Sequence, residues 1–168
     1  MGLPRKLKQM ALFVKGVHYA GECPEVTLPT LERETEDYRG GAMNGPVKVD
    51  MGGKELMLSL KMAGWVAAIV KEFGGSLSGT DLRLVQAVQA DDSADVQGIE
   101  VAARGRMTKA DFGNAKPGDA TEHEYEFALT YLKISDNGET LVEIDYINLI
   151  ENVGGTDRME QTRTVLGI

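Results

Sequence analysis

One segment of the 168-residue chain alternates in polarity along its whole length: Thr121-Glu122-His123-Glu124-Tyr125-Glu126-Phe127-Ala128-Leu129-Thr130-Tyr131. After Thr121 its odd positions are His, Tyr, Phe, Leu and Tyr, whereas three of its even positions are Glu. Because neighbouring side chains of a β-strand point to opposite faces, the pattern predicts a long strand with one buried and one acidic face. The chain then reaches Asn137-Gly138, a pair typical of tight hairpin turns whose two central residues need a positive φ.

The return strand of this hairpin, residues 140–146, has the same two-faced pattern. Val142, Ile144 and Tyr146 form an apolar face, and Glu143 and Asp145 form an acidic one. Segment 56–62 also alternates, and its apolar face carries Leu56, Leu58, Leu60 and Met62. Further strands are predicted at 12–18, 31–38, 47–51, 82–90 and 96–107, so the chain is predicted to be mainly β.

Two segments predict helices instead. Trp65, Ile69 and Phe73 lie four residues apart, and Gly74-Gly75 follows them as a helix end would. We expect this stripe to pack into the core, although it could also line a ligand pocket. Near the end of the chain, Asp157 can cap a second helix that begins close to Glu160.

The composition indicates one ordinary domain, residues 1–168, because 42% hydrophobic residues can fill a single core. The longest uncharged apolar run, 63–70, is far shorter than the roughly 20 residues that cross a bilayer. We therefore expect a soluble protein without a membrane segment. Cys23 is the only cysteine, which excludes an intrachain disulfide and fits assembly in a reducing cytoplasm.

The charge of −8 is unevenly distributed. Residues 1–20 carry four bases and no acid, whereas residues 121–168 carry ten acids and three bases. An acidic surface repels the phosphate backbone, so specific nucleic-acid binding is disfavoured. The basic start and the acidic final third are also a pair of opposite sign that could meet between subunits.

The residue types that carry chemistry are sparse. His123 points away from its two flanking glutamates on a strand, so a buried histidine is a better interpretation than a metal ligand. Glu122, Glu124 and Glu126 share a face, but repeated acids on a strand more often form a solvated face than a catalytic pair. Segment 91–95 lacks the glycine and the bidentate glutamate of a calcium loop, which leaves a polar hairpin loop. The sequence therefore predicts no enzyme, cofactor or metal site.

Three blocks are distinctive and extend over nearly the whole chain. The first joins Leu3-Pro4-Arg5-Lys6-Leu7 to Leu12-Phe13-Val14-Lys15-Gly16, and the second runs from Glu25-Val26-Thr27-Leu28-Pro29 through residues 36–52. The third joins Val142-Glu143-Ile144-Asp145-Tyr146-Ile147-Asn148 to Asp157 and Leu166-Gly167-Ile168. Together they resemble the FII family of major tail tube proteins, found in contractile-tailed phages and R-type pyocins.

The resemblance implies an antiparallel β-sandwich or barrel flanked by a helix, which closes into hexameric rings stacked head to tail. It implies a structural subunit of the inner tail tube, assembled in the host bacterial cytoplasm and located in the virion tail. The expected partners are further copies of the chain, the tail sheath protein, the baseplate hub and the tape measure protein, while DNA passes through without specific binding. A type VI secretion-like tube subunit and a small ligand-binding β-barrel are the alternatives.

Two surfaces are candidates for this assembly. The glycine-rich loop Gly40, Gly41, Ala42, Met43, Asn44 and Gly45 is predicted to contact a neighbouring subunit, the alternative being an ordinary hairpin loop. The acids Glu122, Glu124, Glu126, Glu143 and Asp145 are predicted to face the lumen of the tube, where they would repel DNA. Alternatively, these acids keep the outer surface soluble.

Overall fold

The computed structural model describes residues 2–168, which form twelve strands and two short helices. The strands are β1 (Lys6–Val14), β2 (Val17–His18), β3 (Glu25–Thr27), β4 (Arg33–Tyr38), β5 (Val47–Gly53), β6 (Leu56–Met62), β7 (Thr80–Gln89), β8 (Val96–Asp111), β9 (His123–Asp136), β10 (Glu139–Asp145), β11 (Ile150–Val153) and β12 (Thr156–Asp157). The helices are α1 (Ala67–Val70) and α2 (Glu160–Leu166). The predicted mainly β fold with two short helices is confirmed.

Ten of the strands form one antiparallel sheet that curls around its core. Its order is β12-β11-β10-β9-β8-β7-β1-β2, and β6 pairs with the first half of β9 and with β3. β6 and β1 are separated by three strands in the sheet, yet both bury side chains in one hydrophobic cluster. The sheet must therefore bend back on itself, as in an open barrel.

The predicted alternation of apolar and polar positions is present in β6 and β9, where the apolar side chains are buried. Leu56, Leu58, Leu60 and Met62 are each at most 2% exposed, and Tyr125 and Phe127 opposite them are fully buried. The pattern of β9 shifts at Thr130, which the register of β8 and β9 skips. Because one extra residue reverses the alternation, Leu132 rather than Tyr131 faces the core beyond this point.

The hairpin between β9 and β10 turns at the predicted pair. Asn137 and Gly138 have φ angles of 46° and 85°, as a two-residue hairpin turn of this kind requires. Asn137 also binds the neighbouring strand, because its N–H donates to Gly98 O at 2.9 Å and its Oδ1 accepts from Gly98 N at 2.9 Å. The turn is thus fixed to β8 as well as to its own strands.

The prediction for the stripe Trp65, Ile69 and Phe73 is wrong in part. α1 is a single turn, and only Ile69 of the three is buried, whereas Trp65 and Phe73 are 66% and 60% exposed. Phe73 forms a β-bridge with Met107, and Gly74 N–H donates to Met107 O at 3.2 Å. Phe73 N–H still donates to Val70 O at 3.2 Å, but the Gly74 N–H is used by β8, so the helix cannot continue beyond this point.

One predicted strand and the second predicted helix also differ in detail from the structure. The segment predicted as one strand, 12–18, is divided between β1 and β2 by Lys15 and Gly16, whose φ angles are 49° and 80°. The second helix is present, but its Val165 and Leu166 are 86% and 61% exposed. The apolar residues of α2 therefore add nothing to the core of the isolated subunit.

The loop between β7 and β8 is polar, as predicted, and binds the N-terminal segment. Asp91 forms an ion pair with Lys8, and Asp92 Oδ2 accepts from Leu3 N at 2.9 Å. Within residues 2–168, no group of three or more His, Cys, Asp or Glu side chains is placed to hold a metal ion. A helix both long and apolar enough to cross a membrane is likewise not found in this part of the chain.

Candidate assembly surfaces

Residues 33–53 form a two-stranded hairpin outside the main sheet, which we call the arm. It consists of β4, β5 and the loop between them. Nearly all of its residues are exposed in the isolated subunit. A two-stranded hairpin that buries so little of itself is marginally stable on its own, so other contacts must support the arm.

The arm has one face that is apolar apart from Glu36, which lies across from Val49, and one charged face. Tyr38 lies directly across from Val47, and Val49 is on the same side two residues further. These side chains are 57%, 48% and 42% exposed, respectively. The opposite face carries Lys48 and Asp37, whose Nζ and Oδ1 are 2.7 Å apart. Contiguous exposed apolar side chains beside charged ones are typical of a surface that contacts a partner.

Arg33 fixes the root of the arm to the barrel. Its Nη1 lies 2.9 and 2.8 Å from the two carboxylate oxygens of Glu151 in β11, and its Nε lies 2.9 Å from Asp50 Oδ2 in β5. The hydrogen bond from Arg33 holds the pKa of Asp50 below its ordinary value. One guanidinium thus joins both strands of the arm to the main sheet.

Tyr146 makes a second contact at this root. Its hydroxyl donates to Lys54 O at 2.6 Å, and a Cβ added to Gly53 would lie 2.5 Å from the same hydroxyl oxygen. The prediction that Tyr146 belongs to the apolar face of the return strand with Val142 and Ile144 is wrong, since Tyr146 is 42% exposed. β10 ends at Asp145, so Tyr146 lies in the following turn and reaches the arm instead.

The predicted inter-subunit loop, residues 40–45, is at the tip of the arm. Its turn is closed by Met43, which donates from its N–H to Gly40 O at 3.4 Å and accepts from Gly40 N at its Sδ at 3.1 Å. Ala42 adopts a φ of 64°, a conformation that a loop residue with a side chain seldom takes. The loop therefore closes the hairpin of the arm. It lies at the end of the arm opposite the root.

Glu122, which precedes β9, and the glutamates of β9 lie on the side away from the core, but bases accompany them. Glu122 Oε1 is 3.3 Å from Lys61 Nζ, and Glu126 Oε1 is 3.8 Å from Lys109 Nζ. Glu124 lies between Lys61 and Asp111 in the register of the three strands. The outward face of the first half of β9 is thus mixed in charge rather than uniformly acidic.

The predicted acidic face of β10 is also corrected. Asp145 is only 6% exposed, and its carboxylate accepts from Ile147 N and Asn148 N at 3.0 Å and from Asn148 Nδ2 at 2.6 Å. Burial raises the pKa of Asp145, but the bonds from Asn148 and Ile147 outweigh this and the net shift is downward. Asp145 therefore closes the turn after β10 and cannot belong to an exposed acidic surface.

Glu143 remains partly exposed on the outward face of β10. Its Oε1 accepts from the Tyr131 hydroxyl at 3.0 Å, and it lies directly across from Lys133. The bases on this side of the sheet were not recognised from the sequence. Their signal is the alternation of Arg104 and Arg106 in β8, which places both on the outward face.

The comparisons with known proteins agree with the architecture. The family described as "Phage tail tube protein FII" matches residues 4–167. The tail tube protein of Escherichia phage P2 is 39% identical over 173 aligned positions that cover 100% of both chains. The major tail tube protein of Serratia phage KSP20 is 40% identical over 152 positions, which cover 89% of this chain and 88% of its own.

A solved structure is also similar in fold. The sheath–tube complex of the extracellular contractile injection system PVC, in its extended state, includes a chain that aligns with a TM-score of 0.57 at 11% identity. The alignment covers 79% of this chain and 91% of that one. The relatives are structural proteins, which confirms that this is not an enzyme, and they favour a phage tail over a type VI tube or a ligand-binding barrel. The chain belongs to the phage tail tube protein FII family.

Proposed function

We propose that the chain is the structural subunit of the inner tube of a contractile phage tail, and that it closes into hexameric rings stacked head to tail. The family and the two phage relatives support the tube, and the injection-system chain shares the fold. Head-to-tail contacts join two different surfaces, so they continue without limit and suit a tube. Residues 1–168 act as a single tail tube domain in this proposal.

The apolar face of the arm is the main structural support for this assembly. Tyr38, Val47 and Val49 are exposed side by side on a hairpin that is bound to its own subunit at the root. Covering them against a second copy removes apolar area from water and supports a hairpin that is otherwise marginal. The loop 40–45 at the tip would then contact the neighbouring subunit as well.

A second part of the proposal concerns the conduit. Glu122, Glu124, Glu126 and Glu143 are assigned to the wall of the lumen, and Asp145 is removed from this set because it is buried. DNA passes this wall without specific binding, because Lys61 and Lys109 would have to exchange Glu122 and Glu126 for phosphates there. If these acids only keep an outer surface hydrated, reversing their charge should leave DNA ejection normal.

The remaining partners follow from the place of a tube in a tail. The sheath protein would surround the tube, the baseplate hub would begin it and the tape measure protein would occupy it during assembly. The injection-system relative in fold is itself part of a sheath–tube complex, which supports the first of these contacts. We place assembly in the host bacterial cytoplasm and the finished subunit in the virion tail.

The arm is tested by truncating its apolar face. Tyr38→Ser, Val47→Thr and Val49→Thr together should leave the subunit folded, because these side chains are about half exposed, but should abolish tubes in negative-stain images. A matched variant of the opposite face, Asp37→Ser with Lys48→Thr, should still form them. Normal tubes from the apolar-face variant would refute the role of the arm.

The lumen is tested by reversing charge. With Glu122, Glu124 and Glu126 changed to Lys, tubes should assemble while DNA ejection slows in a salt-dependent manner. The same three positions changed to Gln separate a new positive charge from the loss of the pairs with Lys61 and Lys109. Normal ejection through intact Lys-variant tubes would show that these residues face elsewhere.

A further inference from the structure

The chain contains two Asn-Gly pairs, and the structure holds them in different ways. Asn137-Gly138 forms the turn between β9 and β10, whereas Asn44-Gly45 lies in the loop at the tip of the arm. An Asn side chain is short enough to reach the neighbouring backbone, and a glycine that follows it has no Cβ to obstruct the approach. Asn-Gly is therefore a pair in which the backbone nitrogen can attack the side-chain carbonyl carbon.

The pair at the β9–β10 turn is held away from this reaction. Asn137 Oδ1 accepts from Gly98 N at 2.9 Å, and Asn137 N–H donates to Gly98 O at 2.9 Å. The φ angles of 46° and 85° at Asn137 and Gly138 belong to a tight turn inside a paired hairpin. Before the Gly138 nitrogen can reach the side-chain carbon, Asn137 must release Gly98 and the turn must open.

The pair at the tip of the arm lacks these restraints. Asn44 is exposed, and in the part of the chain that the structure describes neither its side chain nor the Gly45 N–H forms a hydrogen bond. The hydrogen bonds inside the loop join Met43 to Gly40 and to Arg39 instead. A Cβ placed on Gly45 would meet no atom within 4 Å outside the adjacent residues, so the pair has room to change conformation.

We propose that Asn44 is a site of spontaneous deamidation, which makes the tip of the arm acidic. A base removes the Gly45 amide proton, the nitrogen forms a bond to Asn44 Cγ, and the side-chain amino group takes up a proton and leaves as ammonia. Water then opens the resulting succinimide at either carbonyl and gives aspartate or isoaspartate. Both products carry a carboxylate that is ionised at neutral pH, and isoaspartate also lengthens the backbone.

The consequence for assembly rests on the proposed function, in which the loop 40–45 contacts the next subunit. A carboxylate that enters such a contact loses its water and needs a cation in exchange, and a lengthened backbone changes the path of the loop. Free subunits therefore lose the ability to assemble as they age. Subunits already in a tube are protected, because the neighbouring copy covers the loop and restricts its motion.

The chemistry is tested on the purified free subunit, which is incubated at mildly alkaline pH, digested and analysed by mass spectrometry. The peptide that contains Asn44 should show the exchange of an amide for a carboxyl group and separate into aspartate and isoaspartate forms. Asn137 should react at least about tenfold more slowly, the factor that corresponds to an opening cost of about 1.4 kcal/mol. Equal rates at the two asparagines, or no product at Asn44, would overturn the site.

A matched variant tests the role of the glycine. Gly45 does not have a positive φ and has open space around its Cβ position, so Gly45→Ala should fold normally. Its Cβ obstructs the attacking nitrogen, and deamidation at Asn44 should slow several-fold. An unchanged rate in this variant would show that the Gly45 nitrogen is not the attacking group.

The effect on assembly is tested with Asn44→Asp, which reproduces the aspartate product, and with Asn44→Gln, which keeps an uncharged amide. Sedimentation should show that the Asp variant needs a several-fold higher concentration to form tubes, whereas the Gln variant polymerises as the natural chain does. Assembled natural tubes should also deamidate more slowly at Asn44 than free subunits. Equal polymerisation by the two variants, or equal rates in tubes and free subunits, would overturn the effect on assembly.

These outcomes are separable from the proposed function. Fresh natural protein that forms no rings or tubes contradicts the tube assignment, whatever happens at Asn44. Tubes that form equally well from fresh natural protein and from Asn44→Asp contradict only the effect of deamidation on assembly.

Discussion

Arg33 and Glu151 form an ion pair across the root of the arm, with Nη1 2.9 and 2.8 Å from the two carboxylate oxygens. The Glu151 side chain is only 13% exposed, whereas Arg33 is 37% exposed. Arg158 approaches Glu151 as well, but at 3.8 Å. Arg33 is therefore the main group that neutralises a largely buried carboxylate, and it also binds Asp50 within the arm.

We expect Arg33→Met to loosen the arm more than the barrel. Loss of a hydrogen-bonded charge partner leaves Glu151 poorly paired and should lower the free energy of unfolding by about 1–3 kcal/mol. Hydrogen exchange of the arm amides should accelerate more than that of β9, because the arm loses its connection first. Arg33→Lys, which keeps the charge but lacks the separate nitrogens that bind Glu151 and Asp50, should be intermediate. Equal acceleration in both regions would contradict this role.

Gly105 is required by the approach of β8 to β9. A Cβ at this position would overlap the carbonyl oxygen of Ala128 and lie 2.9 Å from its carbonyl carbon. Because backbone atoms of the partner strand cannot rotate away, Gly105→Ala should destabilise the fold by about 3 kcal/mol. The matched change Gly98→Ala meets its first atom only at 3.9 Å and should shift stability by less than about 1 kcal/mol. Urea unfolding measures both, and similar values would contradict the argument.

Asp145 should make stability depend on pH. Its folded-state pKa lies below the ordinary value of 3.8, so its contribution is present above that value and is lost as pH falls through the lower folded value. Asp145→Asn should cost about 1–2 kcal/mol at neutral pH, because the bond from Asn148 Nδ2 is lost. The difference from the natural sequence should shrink in acid. A difference that stays constant from pH 7 to about pH 3 would exclude this explanation.

Deleting residues 41–45 should separate folding from assembly. The loop lies at the arm's tip and closes on itself through Gly40 and Met43, so a shorter turn should leave the barrel and its unfolding transition unchanged. Polymerisation should stop, because the proposed contact with the next subunit is removed. Sedimentation of the purified variant measures this. Normal tubes from the deletion variant would show that the loop is an ordinary hairpin connection.

The sequence predicted the parts of the fold that depend on local rules. Alternation at Leu56, Leu58 and Leu60 identifies a strand because one face of it is buried in the same chain. Asn137-Gly138 identifies a turn because few other residues adopt its φ angles. These features need no knowledge of what lies on the other side of the sheet.

Other parts of the fold depend on tertiary contacts, which a local sequence pattern does not reveal. Val47 and Val49 alternate as a buried strand would, yet nothing in their own subunit covers that face in residues 2–168. Phe73 has helical spacing, but its backbone pairs with Met107, which is distant in sequence. Asp145 looks like one more acid of an exposed face until the turn through Asn148 encloses it, although an Asx-type turn was a recognisable signal there.

The candidate lumen surface was predicted only in part for the same reason. The glutamates of β9 are on the outward side as alternation requires, but their charge is set by bases on other strands. Lys61 and Lys109 become neighbours of Glu122 and Glu126 only when β6, β8 and β9 pair. Net charge along the sequence therefore does not give the sign of a surface.

Negative-stain microscopy of the purified natural chain tests the central claim most directly. If the chain is a tail tube subunit, concentrated protein should form rings with sixfold symmetry or long hollow tubes, and the arm should mediate contacts between copies. Light scattering coupled to gel filtration gives the mass of whatever species remains in solution. A chain that stays monomeric at high concentration, with no rings or tubes in the images, would contradict the account.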